Sequence, residues 1–555
     1  MEECKVVITC SGLGSRLGEY TEYTNKSLVR VGNKAVISHI IDNYPADTNF
    51  VITLGHYGDH VKQYINIAHP EVKVEFVNVE NYHGAGSSLG RSLLSAKNLV
   101  GSSFIFNACD TITDGIIPSN SENSKVWAVA TKNNSSSYRT IQCAGLKVGT
   151  ILEKGESVSN APVYIGKCFV NDSKSFWRNL EEILSKNSSP DVSDCHVINR
   201  MLKNDNKEFD IHYASFWYDI GNLDDLKATR SIMGDNTNVL DKYNESIFFI
   251  KNHVIKFFND EKVLENRVKR SKILENCTPT IVDSSKNFMK YEHVPGDILC
   301  KHKNLDDKLL YRLLEYSNAC MWRKTESKLS IQKSRNLCKQ FYVEKTKKRV
   351  DMFTSARNIP ESENIINGLE VSTVDNLLNE ACMLGLLNGT MGNFHGDFIL
   401  ENIIFDDKEF KFIDWRQDFA GETLIGDVYY DLAKLNHNIS FNHAIVRAGG
   451  FSCEIENTRS ISVDLMCSHK LLTAKKGLVD FCKDNNLSMK KIEMITGIIW
   501  INMAPLHDKL LGDFLFYFGK LQLHKSVNGF YDWFMEIKYS MERLWFMIVL
   551  YFLMN

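Results

Sequence analysis

Two sets of residues in this chain have types and spacings suited to phosphate chemistry. The first starts in VVITCSGLGSRLGEYTEYTNKSLVRVG, residues 6–32, where an apolar run passes straight into a glycine loop. Gly12 and Gly14 let the backbone approach an anionic group, and the amides of the loop, Leu13 and Ser15 included, are ready donors. Arg16 follows at once and Lys26 ten residues later. Two cations beside a glycine loop suit a nucleoside triphosphate attacked at its α-phosphorus, because charge builds on the phosphoryl oxygens. A dinucleotide fingerprint would need glycine at position 17, where Leu17 stands, and the Gly-Lys-Ser/Thr of a Walker loop is absent. The second set lies in FHGDFILENIIFDDKEFKFIDWRQDF, residues 394–419. His395-Gly396-Asp397 is followed five residues on by Asn402, and an apolar strand pair then ends at Asp414. One aspartate to accept a hydroxyl proton, with an asparagine and a later aspartate to hold Mg²⁺ on triphosphate oxygens, is a phosphotransfer set.

The stretch GLGSRLGEYTEYTNKSLVRVGNKAVISHII resembles the signature of the nucleotidyltransferases that make NDP-sugars and CDP-alcohols, with Asn25 in place of the family's proline before the lysine. The likeness runs over about residues 4–230. It implies that GAGSSLG (84–90), with Gly84, Ser87 and Ser88, recognises base and ribose. It also implies that Asp110 and Asp219, in FNACDTI and FWYDIGNLDDL, bind Mg²⁺, and that Lys154, in ILEKGES, meets the acceptor phosphate. The bland alternatives are a helix cap for Asp110, a turn for Asp219 and a surface charge for Lys154. The HGDxxxxN…IDW pattern resembles the aminoglycoside phosphotransferase and choline kinase family. That resemblance makes Lys256 the ATP-binding lysine, with Glu265 (or Glu261) as its acidic partner, and Asn402 and Asp414 the Mg²⁺ ligands. No Ala-Pro-Glu segment follows Asp414, which argues against a protein substrate. Asp427 and Asp431, in GDVYYDLAKL, read as structural.

These residues need a scaffold. KVVITCS, FVITLG, VKVEFVNV and SSFIFNACD read as strands, and AVISHIIDNY, GDHVKQYINIA and GSSLGRSLLSAKNLV as helices between them. Alternation of this kind predicts a Rossmann-like α/β domain over 1–232 with a doubly wound, mostly parallel sheet. Ligands of such sheets sit at the carboxyl ends of strands, which makes the glycine loop and Asp110 neighbours. A polar stretch, 233–245, reads as a linker. An α+β kinase-like domain is expected over 246–555, with a β-rich small lobe to about 300 and a helical large lobe beyond. SIFFIKNHVIKFF opens it as a hairpin that carries Lys256 in its second strand, where a solvated lysine is the bland reading.

A chain of 555 residues is too long for one core, which agrees with two domains. A net charge of −3 and the lack of a basic run with interleaved aromatics set nucleic acid aside. Fourteen cysteines without a CxxC pair suit a reducing compartment, and MEECKVVITC is not a secretory leader, so a cytoplasmic protein is expected. The apolar LWFMIVLYFLM, 544–554, is eleven residues, short of the roughly 20 that span a bilayer. A buried terminal helix or an oligomer contact is favoured there over a membrane-surface anchor.

A kinase makes a phosphate ester and a nucleotidyltransferase consumes one. Together they point to consecutive steps: ATP phosphorylates a sugar or alcohol, and an NTP (CTP, UTP, GTP or dTTP) is then coupled to the ester, with Mg²⁺ in both sites. A sugar phosphate acceptor is favoured by GAGSSLG. The alternative is a CDP-choline-type route, for which Trp415, Tyr429 and Tyr430 could cage a quaternary ammonium. A second alternative makes one domain a non-catalytic module.

Overall fold

The structure, a computed structural model, describes residues 4–119, 122–130, 137–156, 160–186, 192–234, 242–322 and 329–529. Its contacts gather into two compact units, Met1–Glu265 with Ile281–His293, and Asn266–Thr280 with Val294–Asn555. The division falls inside the helix Glu261–Ile273. Of the expected linker, residues 235–241 lie outside the described residues, as does the apolar stretch 544–554. Among the described residues no helix is long and apolar enough to cross a membrane.

The first unit opens with β1 (Lys5–Cys10), α1 (Val36–Asp42), β2 (Asn49–Leu54), α2 (Gly58–Ala68), β3 (Lys73–Asn78), α3 (Leu89–Leu94) and β4 (Phe104–Ala108). The four strands pair in parallel in the order β3-β2-β1-β4. β1 shows why the sheet is covered twice. Val6 and Ile8 enter one core with Ile37, Tyr64 and Ile65 of α1 and α2, while Val7 enters the other with Leu93 of α3. That is the period-2 alternation of a strand buried on both faces. α2 buries Val61, Tyr64, Ile65 and Ala68, one helical stripe, and carries Asp59 in its first turn, where the helix dipole favours a negative charge.

Beyond β4 the mostly parallel expectation is corrected. The unit continues with β5 (Thr111–Thr113), β6 (Ser124–Val129), β7 (Thr140–Ala144), β8 (Lys147–Leu152), β9 (Val163–Val170), β10 (Phe209–Tyr213) and β11 (Trp217–Asp219). The nine-stranded sheet is mixed and runs β3-β2-β1-β4-β9-β6-β10-β8-β7. β9 is antiparallel to both β4 and β6, and β8 to both β10 and β7. The physical reason is connection length. Only Gly145 and Leu146 separate β7 from β8, and a parallel pair needs a crossover of a dozen or more residues. α4 (Ser173–Lys186) and α5 (Asp194–Asn204) pack on one face, and β5 and β11 form a separate two-stranded ribbon followed by α6 (Leu223–Met233).

The first unit also contains a second sheet, β12 (Glu245–Ile250), β13 (His253–Phe258), β14 (Ile281–Ser284) and β15 (Phe288–Glu292), ordered β12-β13-β15-β14, with α7 (Glu261–Ile273) inserted after β13. It packs on α2: Tyr64 meets Phe248 edge-on at 5.0 Å and Phe288 at a tilt at 5.8 Å, and Gln63 Oε1 accepts from the Asn287 amide at 2.9 Å. The Phe249 amide donates to Asn33 O at 2.8 Å. Phe248, Phe257 and Phe288 thus belong to the same core as Val6 and Ile8.

The second unit is mainly helical: α8 (Asp307–Ser317), α9 (Ile331–Cys338), α10 (Lys345–Arg357), α11 (Val374–Met383), α12 (Val428–Ser440), α13 (His443–Arg447), α14 (His469–Asp484), α15 (Met489–Met503) and α16 (Lys509–Asn528). α15 and α16 pack closely where Gly497 meets Gly519, each lying within 3 Å of the other's carbonyl oxygen if given a Cβ. The hairpin Ile403–Phe405 and Phe410–Phe412 carries the chain from Asn402 to Asp414.

Candidate active sites

In the first unit the glycine loop leaves β1 at its carboxyl end. Gly14 has φ +69°, a left-handed value open to glycine, and a Cβ there would lie 2.9 Å from Lys26 Cβ. Lys26 opens a short 3₁₀ turn, Lys26–Leu28, capped by Asn25, whose side chain accepts from the Ser27 amide at 2.9 Å. Asn25 Nδ2 donates to Cys10 O at 2.7 Å and to His56 O at 2.6 Å. Its φ of −75° and ψ of 147° are angles that proline takes, so the asparagine keeps the family's backbone and adds three hydrogen bonds.

Lys26 Nζ lies 2.9 Å from Asp110 Oδ2. Asp110 lies in the two-residue turn between β4 and β5, and its carbonyl accepts from the Ile220 amide at 3.0 Å while Asp219 pairs with Thr111 across the β5–β11 ribbon. Residues 109 apart in sequence are thereby made neighbours. Burial raises the Asp219 carboxyl to about 7, and the adjacent Asp110 and Asp225 charges add to the rise. Asp110 goes the other way: burial opposes its charge, but Lys26 and then Arg16 outweigh that and hold it below the usual range. A Cβ on Gly221 would lie 3.1 Å from Asp219 Oδ1 and 3.7 Å from Arg16 Nη2, which places the arginine beside the second carboxylate. Lys154, exposed, has its ammonium disfavoured by partial desolvation and by Arg16 and Arg139, and favoured by Asp219 and Asp110. The structure therefore brings together Arg16, Lys26, Lys154, Asp110 and Asp219. Gly84 and Gly86 take positive φ, Ser87 Oγ donates to Gly84 O at 2.8 Å, and Ser88 caps α3. Gly12, Leu13 and Ser15 are at least partly exposed beside Gly14. Tyr138, whose hydroxyl lies 3.3 Å from Asp225 Oδ2, was not legible in the motif.

Lys256 belongs to this unit too. It sits on β13 between Ile247 and Met289 of the flanking strands and is 7% exposed, so it is a buried lysine and not a solvated one. Glu265 pairs with Lys262 at 2.7 Å.

In the second unit the loop His395–Asp397 is pinned from three sides. Asp431, in the first turn of α12, accepts from the His395 amide at 2.7 Å and the Gly396 amide at 2.6 Å, and also from Trp322 Nε1 at 2.9 Å. Asp427 caps α12 and accepts from the Thr390 amide and from Tyr342 Oη. His395 Nδ1 lies 3.2 Å from the Asp397 amide, and Nε2 lies 3.0 Å from Ile413 O. This fixes the Nε2–H tautomer and ties the loop to the strand before Asp414. Burial lowers the ring to about 4, so it is neutral. Gly396 has φ +86°, and a Cβ there would lie 2.5 Å from Arg416 Cβ.

Asn402 Nδ2 donates to Asp397 Oδ2 at 3.1 Å and to Asp397 O at 3.0 Å, which leaves the amide oxygen for a ligand. Asp414 takes φ +65°, uncommon for a non-glycine residue, and its Oδ1 accepts from Arg267 Nη1 at 2.7 Å. Asp397 Oδ1 lies 2.8 Å from Lys434 Nζ of α12. Burial opposes the Asp397 charge, but Lys434 outweighs it and lowers the carboxyl. Lys434 was missed in the sequence because nothing in the family pattern marks it. The three rings considered for a choline cage are engaged elsewhere. Trp415 is 1% exposed with Nε1 on Arg267 O, Lys491 already sits over Tyr429 at 4.3 Å, and Tyr430 packs edge-on to Phe341.

Among the described residues no three His, Cys, Asp or Glu side chains cluster as a metal site. The donors present are two carboxylates, Asp110 and Asp219, in one unit, and the Asn402 amide oxygen with Asp414 in the other. Hard oxygen donors in twos fit Mg²⁺ that completes its shell with phosphate and water.

No family model matches the chain. It is 22% identical over 228 residues to "Bifunctional protein GlmU" of Methanococcus maripaludis, an overlap of 40% of this chain and 53% of that protein. It is 37% identical over 62 residues to "Probable glucose-1-phosphate cytidylyltransferase" of Bacillus subtilis, 11% of this chain and 24% of that one. Solved structures matched include the CTP:phosphocholine cytidylyltransferase of Streptococcus pneumoniae, 18% identical over 42% of this chain and 100% of that one, with a TM-score of 0.35. The chain spans about half, or less, of the length of the curated relatives it matches, and its N-terminal half resembles nucleotidyltransferases.

Proposed function

We propose that the chain is a bifunctional enzyme that builds an activated intermediate. The site around Asp110 transfers NMP from an NTP to a sugar phosphate and releases pyrophosphate. The site around Asp397 phosphorylates a sugar or alcohol from ATP and supplies that ester. The observation that carries the first reading is the convergence of Arg16, Lys26 and Lys154 on the Asp110–Asp219 pair. The sugar that the Bacillus subtilis relative is named for and the GAGSSLG loop support a sugar phosphate acceptor.

Asp110 and Asp219 would hold Mg²⁺, which would supply charge neutralisation on the triphosphate. Lys154 orients the acceptor phosphate, whose oxygen attacks the α-phosphorus in line. Lys26 and Arg16 offset the charge that develops on the phosphoryl oxygens as pyrophosphate leaves. A phosphate monoester is ionised near neutral pH, so no general base is needed. In the second site Asp397 orients the acceptor hydroxyl and takes its proton, and Asn402 and Asp414 would hold Mg²⁺.

The test is site-selective loss. Asp110→Ala and Asp219→Ala are expected to abolish pyrophosphate release and spare ADP formation, and Asp397→Asn to do the reverse. Equal loss of both activities from any one substitution would overturn the two-site assignment. Mass spectrometry of products formed with Mg²⁺, four NTPs and a pool of sugars, polyols and amino alcohols then names base and acceptor.

A further inference from the structure

The groups around Asp397 divide by charge. Asn402 holds Oδ2, while Lys434 Nζ holds Oδ1. Two more cations, both near enough to Lys434 to repel its charge, stand over one ring: Lys345 Nζ of α10 is 4.5 Å from the centroid of Phe341, and the Arg416 guanidinium is 5.2 Å from it. Arg416 is anchored by its Nε to Asp418 O at 2.9 Å and by its amide to His395 O at 2.9 Å, so it is part of the loop that carries Asp397. Among the described residues neither Lys345 nor Arg416 has a carboxylate within salt-bridge distance, and both are half-buried. Burial, Arg416, Arg349 and Lys434 lower the Lys345 ammonium to about 7 against the opposing charge of Asp418. Half-buried cations that repel one another with no carboxylate in salt-bridge range are costly unless something anionic is brought to them.

We infer that the hydroxyl acceptor phosphorylated at Asp397 is itself an anion, whose phosphate or carboxylate is held by Lys345, Arg416 and Lys434 beside the Phe341 ring. This rests on the phosphotransfer reading of the second site. The acceptor hydroxyl oxygen bonds to the γ-phosphorus of ATP, the bond from that phosphorus to the bridging oxygen breaks, and ADP leaves with the electron pair. The hydroxyl proton passes to the Asp397 carboxylate. Lys434 bridges the base and the anion, so one ammonium reports whether the pocket is filled. A quaternary ammonium acceptor is disfavoured by the same three charges.

The test is ADP release by the full chain with Mg·ATP and four probes: glucose 6-phosphate, gluconate, glucose and choline. Calorimetric titration of each probe runs alongside as a readout independent of turnover. Asp397-dependent ADP is expected with glucose 6-phosphate or gluconate, the arm that responds separating phosphate from carboxylate recognition. Lys345→Met should raise KM for that anion roughly tenfold to a hundredfold with a smaller change in kcat, and Lys345→Arg should restore it. Turnover of glucose or choline with comparable kcat/KM, unmoved by Lys345→Met, overturns the anionic acceptor alone. No Asp397-dependent ADP with any probe, and no titratable binding of Mg·ATP, overturns the phosphotransfer reading and this inference with it.

Discussion

Lys26 and Asp110 meet at 2.9 Å, and the residue that makes this meeting dependable is Asn25, which has no chemistry of its own. Asn25→Ala leaves the Cys10 and His56 carbonyls and the Ser27 amide without their partner. It is expected to cost about 2 kcal/mol, lower the first unit's Tm by roughly 5 °C and cut pyrophosphate release while ADP formation is unchanged. Calorimetry and the two product assays on one preparation check this. Arg16, Lys26, Asp110, Lys154 and Asp219 were legible because the motif holds them at fitting intervals. The asparagine's compensation was not, since its partners lie 15 and 31 residues away and a hydrogen bond leaves no periodicity. The same holds for Lys434, Arg416 and Lys345. Their meeting depends on where α10 and α12 lie, which local pattern does not encode.

Elements explain what the residues cannot. The first turn of α12 presents Asp431 to two amides of the His395–Asp397 loop, so on the proposed reading Asp431→Ala should reduce ADP formation by about a hundredfold through misplacement of Asp397. Nucleotidyl transfer should keep its wild-type rate. β9 poses a different question. Lys167, fully buried, lies 4.5 Å from the Tyr44 centroid and 4.7 Å from Trp127, and burial lowers it to about 7. Below pH 7 the lysine is charged in the folded and unfolded chain alike and the full burial penalty applies. Between 7 and about 10.5 the unfolded chain binds the proton more tightly, so stability rises with pH. Lys167→Met is therefore expected to raise Tm clearly at pH 6.5 and much less at pH 9.5. Equal gains at both would mean that Lys167 titrates normally. The four parallel strands of this sheet were readable as short apolar runs, and α1, α2 and α3 from the apolar spacing between them. The antiparallel half was not, because strand direction is set by connection length and by which edge is left to fill.

At the level of the whole molecule, the proposed pair of sites, each with its own carboxylates, predicts complementation. Asp110→Ala and Asp397→Asn, each unable to make a nucleotide conjugate from an unphosphorylated acceptor, should regain it when mixed. Silence from the mixture would mean that the ester is passed on within a single chain and never released. The place where the chain divides also differs from where composition changes. The polar stretch at 233–245 looks like a hinge, yet Phe248, Phe257 and Phe288 are packed with Tyr64 in the first unit's own core. A gene broken at that stretch would deliver one fragment with a bared aromatic face and another trailing strands that fit no partner of their own. The two units are also interleaved along the chain, Asn266–Thr280 in the second and Ile281–His293 in the first, so no single break in the gene hands each of them on whole.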